Sequence, residues 1–262
     1  MFAGKLLILT LAVLMTGACA AFQPTDANGP AANRPQYPIA LSDVGARLEE
    51  ASVAWYQLSQ RYGLPGKTEA NLQPYTATLE SLPANLPAPI YLPKVGSQTE
   101  EDTRESLRRF IVEWQTLIGA DPNQLSLVER TDEPSGIKVA RYEQRPFRYP
   151  LRGGFGTLVI RFRSNGQLVG FSSNCIPNAD RLQPALNALT PTVTAEQAVN
   201  HIKTQQSANA KIEARQLVVY AQPSKVPPSG LEIRLAWEIE VTNGPVSKVY
   251  LDALSDEIIA TT

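Results

Sequence analysis

The side chains that most often carry catalysis are scarce in this sequence. It has one histidine, His201, and two cysteines, Cys19 and Cys175. A single imidazole cannot make an H-E-x-x-H zinc site, which needs two on one helix face. A Ser-His-Asp hydrolase would have to recruit the same His201, and no G-x-S-x-G turn presents a serine. His201 sits beside Thr194 and Gln197 on the polar side of a short helix and reads as a solvated position. Cys175, between Asn174 and Ile176, reads as a buried strand-end thiol rather than a nucleophile. Gly153-Gly154-Phe155-Gly156 leads into a strand with no lysine and helix after it, so a turn explains it better than a phosphate cradle. Asp252, Asp256 and Glu257 invite a calcium reading, but their spacing fits no calcium loop and a hairpin turn accounts for them. The expectation is a protein that is not an enzyme, with no cofactor and no metal.

Charge narrows the partners. The formal net charge is −1, and removing residues 1–18 takes away a single basic residue, Lys5. No electrostatic footprint for nucleic acid or an anionic membrane surface is present. Arg145, Arg148, Arg152, Arg161 and Arg163 make a local basic concentration that could meet an acidic partner. Alternating arginines also serve simply to keep the outer face of a strand wet. Cys175 has no partner once the first residues are cut, so stability must come from a packed core rather than from disulfides.

The elements that would position these residues are clearest near the end of the chain. From Leu231 to Val241 apolar side chains fall on every second position, alternating with Glu232, Arg234, Ala236, Glu238 and Glu240. That is a strand with one dry and one wet face. Asn243-Gly244-Pro245 turns it, Val246 to Asp252 returns, and Glu257 to Ala260 adds a third short strand. Upstream, Ser42 can cap a helix over 44–62, with Val44, Leu48, Ala51, Trp55, Leu58 and Tyr62 on one stripe and Gly63 as its terminator. The stripe either docks on the chain's own body or pairs with a partner helix. Residues 64–98 hold six prolines, which suits an extended linker crossing the surface. Thr99 caps a second helix whose Leu107, Phe110, Ile111, Trp114, Leu117 and Ile118 share a face. Strands follow at 125–130, 137–144 and 156–163, and Asn165-Gly166 turns into 168–173. After the breaker-rich stretch 174–191, Thr194 and Gln197 form a capping box on a third helix, followed by a strand at 215–221. Helix then antiparallel strands, twice over, gives an α+β fold of two helix-plus-sheet units, 99–178 and 179–262.

The first residues are a targeting segment. Lys5 supplies the positive charge and Leu6 to Met15 a short apolar run, well under the about 20 residues that span a bilayer. Met15-Thr16-Gly17-Ala18-Cys19 resembles the lipobox of bacterial lipoproteins. By that resemblance 1–18 is the signal peptide, Cys19 the lipid-modified first residue, and 19–40 a flexible tether ahead of the helix and linker of 41–98. Ala18-Cys19-Ala20 equally serves as an ordinary cleavage site for soluble secretion. With lipid attached, Ala20 in place of the aspartate of inner-membrane retention implies the outer membrane facing the periplasm.

Pro191-Thr192-Val193-Thr194-Ala195-Glu196-Gln197-Ala198, Leu217-Val218-Val219-Tyr220, Leu235-Ala236-Trp237-Glu238-Ile239 and Val249-Tyr250-Leu251-Asp252-Ala253 resemble the propeptide of thermolysin-type and fungalysin-type secreted metallopeptidases. That propeptide joins an FTP module to a PepSY module, and Arg141-Tyr142-Glu143-Gln144 is similar to a strand of the first. The likeness runs from about Thr99 to Thr262. At the closing turn Asp256 stands where the family commonly has glycine. The resemblance implies a PepSY/cystatin-like fold, no catalytic residues, and a protein partner such as a metallopeptidase. The peptidase domain it also implies does not follow in this sequence. Trp237 and Tyr250 on the closing hairpin, with Arg161 and Arg163 on the first sheet, are the candidate partner-binding residues. The other reading is a structural or assembly lipoprotein of the envelope, using the same fold with no peptidase.

Overall fold

Period-two alternation and turn chemistry pair the strands, nearly all antiparallel, into a four-stranded and a six-stranded sheet, each backed by helices, and a separate two-stranded ribbon. The computed structural model describes residues 36–64, 68–84, 86–96, 99–207, 209–225 and 230–262. The expected signal, Cys19 and most of the expected tether lie outside them. In chain order the elements are β1 (Ile39–Leu41), α1 (Val44–Arg61), β2 (Asn71–Leu72), β3 (Leu79–Ser81), α2 (Glu100–Glu113), α3 (Gln115–Ile118), β4 (Leu125–Asp132) and β5 (Ile137–Gln144). Then come β6 (Leu151–Arg152), β7 (Thr157–Arg163), β8 (Leu168–Ser173), α4 (Ala179–Asn187), α5 (Ala195–Lys203), β9 (Lys211–Pro223), β10 (Leu231–Thr242), β11 (Lys248–Asp252) and β12 (Ile258–Thr261). The fold is α+β.

The first sheet runs β4-β5-β7-β8. Ala140, Tyr142, Leu158, Ile160, Phe162, Leu168 and Phe171 point from it into a core closed by the apolar face of α2 and α3. All six residues expected on that face are buried. Trp114 sits at the centre, stacked on Phe110 at 4.7 Å and edged by Phe171 at 5.7 Å, Tyr62 at 6.1 Å and Trp55 at 6.3 Å between ring centroids. Such aromatic groupings add to simple burial because ring edges meet ring faces. Ala51, Trp55 and Leu58 of α1 join the same core, so this helix docks on its own body.

Both expected capping devices form. Thr99 and Asp102 exchange hydrogen bonds at the start of α2, and Thr194 and Gln197 do so at the start of α5. Replacing either threonine by alanine is expected to lower unfolding free energy by about 1 kcal/mol, read as a shift in the urea midpoint at constant slope. At α1 the N-cap is Asp43 rather than the expected Ser42. It makes no side-chain cap bond, its carboxylate being engaged by Arg47.

The second sheet runs β12-β11-β10-β9-β6, with β1 also paired to β10. Its inner face is closed by α4 over Leu41, Val219, Ala221, Leu231 and Ile233, and by α5 over Ile239, Val241, Val249 and Leu251. The outer face departs from expectation. Glu232, Ala236 and Glu238 are buried and Arg234 and Glu240 half-buried, leaving Thr242 as the exposed member of the supposed wet side of β10. The physical reason is cross-strand pairing: each of these charges finds a partner on the sheet, while Tyr220 and Tyr250 pack against Ala236. At the β11–β12 turn Asp256 takes φ 61°, the left-handed conformation that aspartate tolerates better than most residues.

Two further expectations are corrected. Residues 64–98 do not simply cross the surface: Leu79, Ile90 and Leu92 are buried in the first core. Leu92 donates from its backbone to Gly166 at 2.9 Å, Leu168 to Ile90 at 2.8 Å, and Thr78 Oγ1 to the Ser173 carbonyl at 2.7 Å. The segment thus covers the β8 edge, which would otherwise present unpaired backbone groups. Likewise, part of the breaker-rich stretch is the helix α4, with Pro184 inside it and Leu186 buried beneath.

Candidate functional site

The loop Arg145–Gly156 connects β5 to β7 and does more than turn the chain. Midway it lays β6 parallel to β9, Leu151 opposite Val219 and Arg152 opposite Tyr220, and Val219 donates to the Pro150 carbonyl at 2.9 Å. Its ends are clamped by side-chain amides. Gln144 donates to the Ile176 carbonyl at 2.9 Å and accepts from its N–H at 2.7 Å. Asn174 accepts from the Thr157 N–H at 2.7 Å and donates to the Gly154 carbonyl at 2.7 Å. Gly153, Gly154 and Gly156 all take positive φ, and a Cβ on Gly153 would overlap the Ala221 carbonyl. The glycines are therefore a turn, as their sequence suggests, and one that permits close backbone approach.

Between this loop and the outer face of the second sheet lies an open cleft of about 810 Å³. Phe147, Tyr149 and Phe155 line it from the loop, Tyr220 and Tyr250 from the sheet, and Arg145, Arg148 and Arg152 bring three guanidinium groups. The Tyr220 and Tyr250 rings lie 4.7 Å apart, and burial pushes the pKa of both hydroxyls up, so they are neutral at ordinary pH. Under them, Glu238 receives Gln216 at 2.8 Å, Lys248 at 3.2 Å, and Arg152 and the Tyr250 hydroxyl at 3.4 Å. Burial opposes its charge, but these hydrogen bonds and the nearby Arg152 outweigh burial and hold its carboxyl below the usual range. The carboxylate is thus fully engaged and not a free base. A second cavity, of about 510 Å³, opens beside α1. It is polar, and its buried Arg47 is engaged by Asp43 and the Tyr75 carbonyl.

A second polar constellation is structural. Asp252, fully buried, accepts from the backbone of Leu254 at 2.8 Å and Ser255 at 3.0 Å, from Arg234 at 2.9 Å, and from the Tyr37 hydroxyl at 2.8 Å. Arg234 also holds Glu232 and Glu257. Burial first, then the facing Asp252 carboxylate, pushes the Tyr37 hydroxyl well above its ordinary range. Both oxygens of Asp252 are taken by the turn and the sheet, so it has none to offer a cation.

The candidate binding residues are distributed over both sheets. Tyr250 lines the cleft. Trp237 faces the inner side of β10, half-buried, with its indole N–H donating to the Val193 carbonyl at 2.8 Å. Arg161 and Arg163 are exposed on β7, in the first sheet, where Arg161 meets Glu133 at 3.6 Å. Cys19 lies outside the described residues. Of the basic concentration, only Arg145, Arg148 and Arg152 reach the cleft. Tyr149 and Tyr220 are cleft residues that the sequence reading does not name, although the interleaving of Phe147, Tyr149 and Phe155 with those arginines is a signal of a binding loop.

His201 is less free than a solvated position: its Nδ1 lies 2.8 Å from Asp256 Oδ2 and its Nε2 3.1 Å from the Gln205 amide, tying α5 to the β11–β12 turn. Cys175 is fully buried, and burial pushes its thiol up to about 12. It is therefore protonated at pH 8 and shielded. In a Cys19→Ser chain, its reaction with a thiol reagent at pH 8 is expected to be at least about a hundredfold slower in the native protein than in denaturant, since the thiolate is the reactive form.

The chain is similar in part to two known proteins. Over 150 residues the chain is 29% identical to the thermostable neutral protease NprT of Geobacillus stearothermophilus, a match covering 54% of this chain and 26% of that protein. The chain is distantly similar to part of a protease. It spans about a quarter of the length of that curated relative. No family model matches. Among solved structures it is similar to the Bacillus megaterium YpeB C-terminal domain, at 14% identity and a TM-score of 0.28, over 65% of this chain and 68% of that one.

Proposed function

We propose that this chain is a non-catalytic, envelope-anchored protein that binds and modulates another exported protein, a secreted peptidase being the candidate that the propeptide resemblance names. One observation carries the reading. The chain shares sequence with about a quarter of a protease while holding a single histidine, too few for the zinc site of the peptidases it resembles. The engaged state of the remaining reactive groups supports it: Cys175 is sealed, and His201, Glu238 and Asp252 are each committed to neighbours. The anchor is Cys19, lipid-modified, with the outer membrane facing the periplasm as the address and soluble secretion as the other outcome. The PepSY-like second sheet presents the binding surface, with Tyr250 on it and Arg161 and Arg163 on the neighbouring sheet.

The test is a crosslinking capture of the full-length tagged chain from intact envelopes, with captured proteins identified by mass spectrometry. Recovery of a secreted peptidase, whose activity then changes on titration with the chain, supports the proposal. Recovery of envelope-assembly components alone, or of the chain alone, overturns it. Lipid on Cys19 is read separately, as loss of membrane association and of the modified N-terminal peptide in Cys19→Ser.

A further inference from the structure

We infer that the cleft between the Arg145–Gly156 loop and β9–β11 is a docking site for an extended acidic segment of a partner protein, one that carries aromatic side chains among its carboxylates. This inference deepens the binding role proposed above and gives it a place and a chemistry.

Three observations converge. The first is volume: about 810 Å³ is in the range of sites that enclose ligands, and the shape is an open trough rather than a sealed chamber. The second is charge. Arg145 and Arg152 each have a carboxylate, Glu143 at 3.3 Å and Glu238 at 3.4 Å. Arg148 is exposed, lies over the Tyr149 ring at 5.4 Å from its centroid, and has no ion pair among the described residues. A guanidinium poised on an aromatic face keeps its outer N–H groups open to a planar, bidentate acceptor, and a carboxylate supplies one. The third is rigidity. The Gln144 and Asn174 clamps and the parallel β6–β9 pairing fix the loop on both sides, so little ordering accompanies binding. Between the arginines the walls are rings, and rings receive aromatic side chains at small entropic cost.

Charge complementarity selects the occupant. A basic segment would meet the guanidinium of Arg148 with no carboxylate paired to it, and a purely apolar one would leave Arg148 desolvated and unpaired. An acidic and aromatic polypeptide satisfies both walls.

The probe is a fluorescein-labelled random glutamate–tyrosine copolymer, titrated against the full-length chain by fluorescence anisotropy, with a lysine–tyrosine copolymer in parallel. Saturable binding of the acidic copolymer is expected, weakened about tenfold or more by Arg148→Glu at an unchanged thermal midpoint. Arg181→Glu, exposed on α4 and outside the cleft, is expected to leave binding within twofold. Absence of binding, equal binding of the lysine copolymer, or indifference to Arg148→Glu overturns the inference. Displacement of the copolymer by inorganic phosphate or phosphatidylglycerol vesicles at low ionic strength overturns it too, in favour of an anion or lipid surface. Failure here is distinguishable from failure of the broader reading. A peptidase captured equally well by Arg148→Glu would keep the binding role and move it off the cleft. Copolymer binding without any captured peptidase would keep the cleft and remove the peptidase.

Discussion

Asp252→Ala is expected to lower unfolding free energy by about 3 kcal/mol, because it removes a fully buried carboxylate and leaves four hydrogen-bond donors short of a partner. Asp252 holds the backbone of its own turn, the guanidinium of Arg234 and the hydroxyl of Tyr37 at once. Removing it leaves Arg234, itself mostly buried, with Glu232 and the exposed Glu257. Two companion variants separate the contributions. Tyr37→Phe removes the hydroxyl that donates to Asp252 at 2.8 Å and accepts from the Leu235 N–H at 3.2 Å, and is expected to cost about 2 kcal/mol. In the double variant the loss is expected to be smaller than the sum, since both singles break the same bond. Urea titration followed by tryptophan fluorescence reads all three. A loss below about 1 kcal/mol for Asp252→Ala would mean that water replaces the network without penalty, contrary to the burial observed.

The second large effect is at Gly153. At φ 98° a Cβ is strained in any case, and here it would also overlap the Ala221 carbonyl on β9. Gly153→Ala is expected to cost about 3 kcal/mol, the sum of backbone strain and displacement of β6 from β9. It also separates the loop wall of the cleft from the sheet wall. Gly154→Ala provides the contrast: φ is 83° but nothing lies within 4 Å of the added carbon, so only the strain remains. The measurement is the urea midpoint of each, alongside hydrogen exchange at Val219, whose N–H is held by Pro150 in the intact loop. Rapid exchange at Val219 in Gly153→Ala, but not in Gly154→Ala, is the expected pattern.

Local signals were legible in the sequence where one short stretch decides the outcome. Asn165-Gly166 turns β7 into β8 with Gly166 at φ 82°, and Thr99 and Thr194 cap their helices. Each depends on residues within a few positions of one another. What was not legible depends on distant pairing. The outer face of β10 reads as solvent-exposed because Glu232, Arg234 and Glu238 are charged, and only their neighbours on β9, β11 and the loop make burial tolerable. Residues 64–98 read as a surface linker because prolines exclude regular helix, yet proline does not prevent Leu79, Ile90 and Leu92 from packing. Pro184 hid α4 in the same way. The cleft itself depends on β6 meeting β9, a parallel contact between segments more than sixty positions apart, which no local pattern announces.

The propeptide resemblance begins near Thr99, but the folding unit does not. Within a short span near the start of the described chain, β1 completes an edge of β10 while α1 closes the core under the other sheet. Leu41 lies against Leu231 and Ile233 in one cluster, and Trp55 against Trp114 in the other. Chain neighbours thus serve different cores, so neither sheet can lose its packing without dragging on the other through a helix of 18 residues. Cooperativity is the expected result: a single melting transition for the two halves, whereas a piece cut at the boundary of the resemblance would carry two cores, each missing a wall.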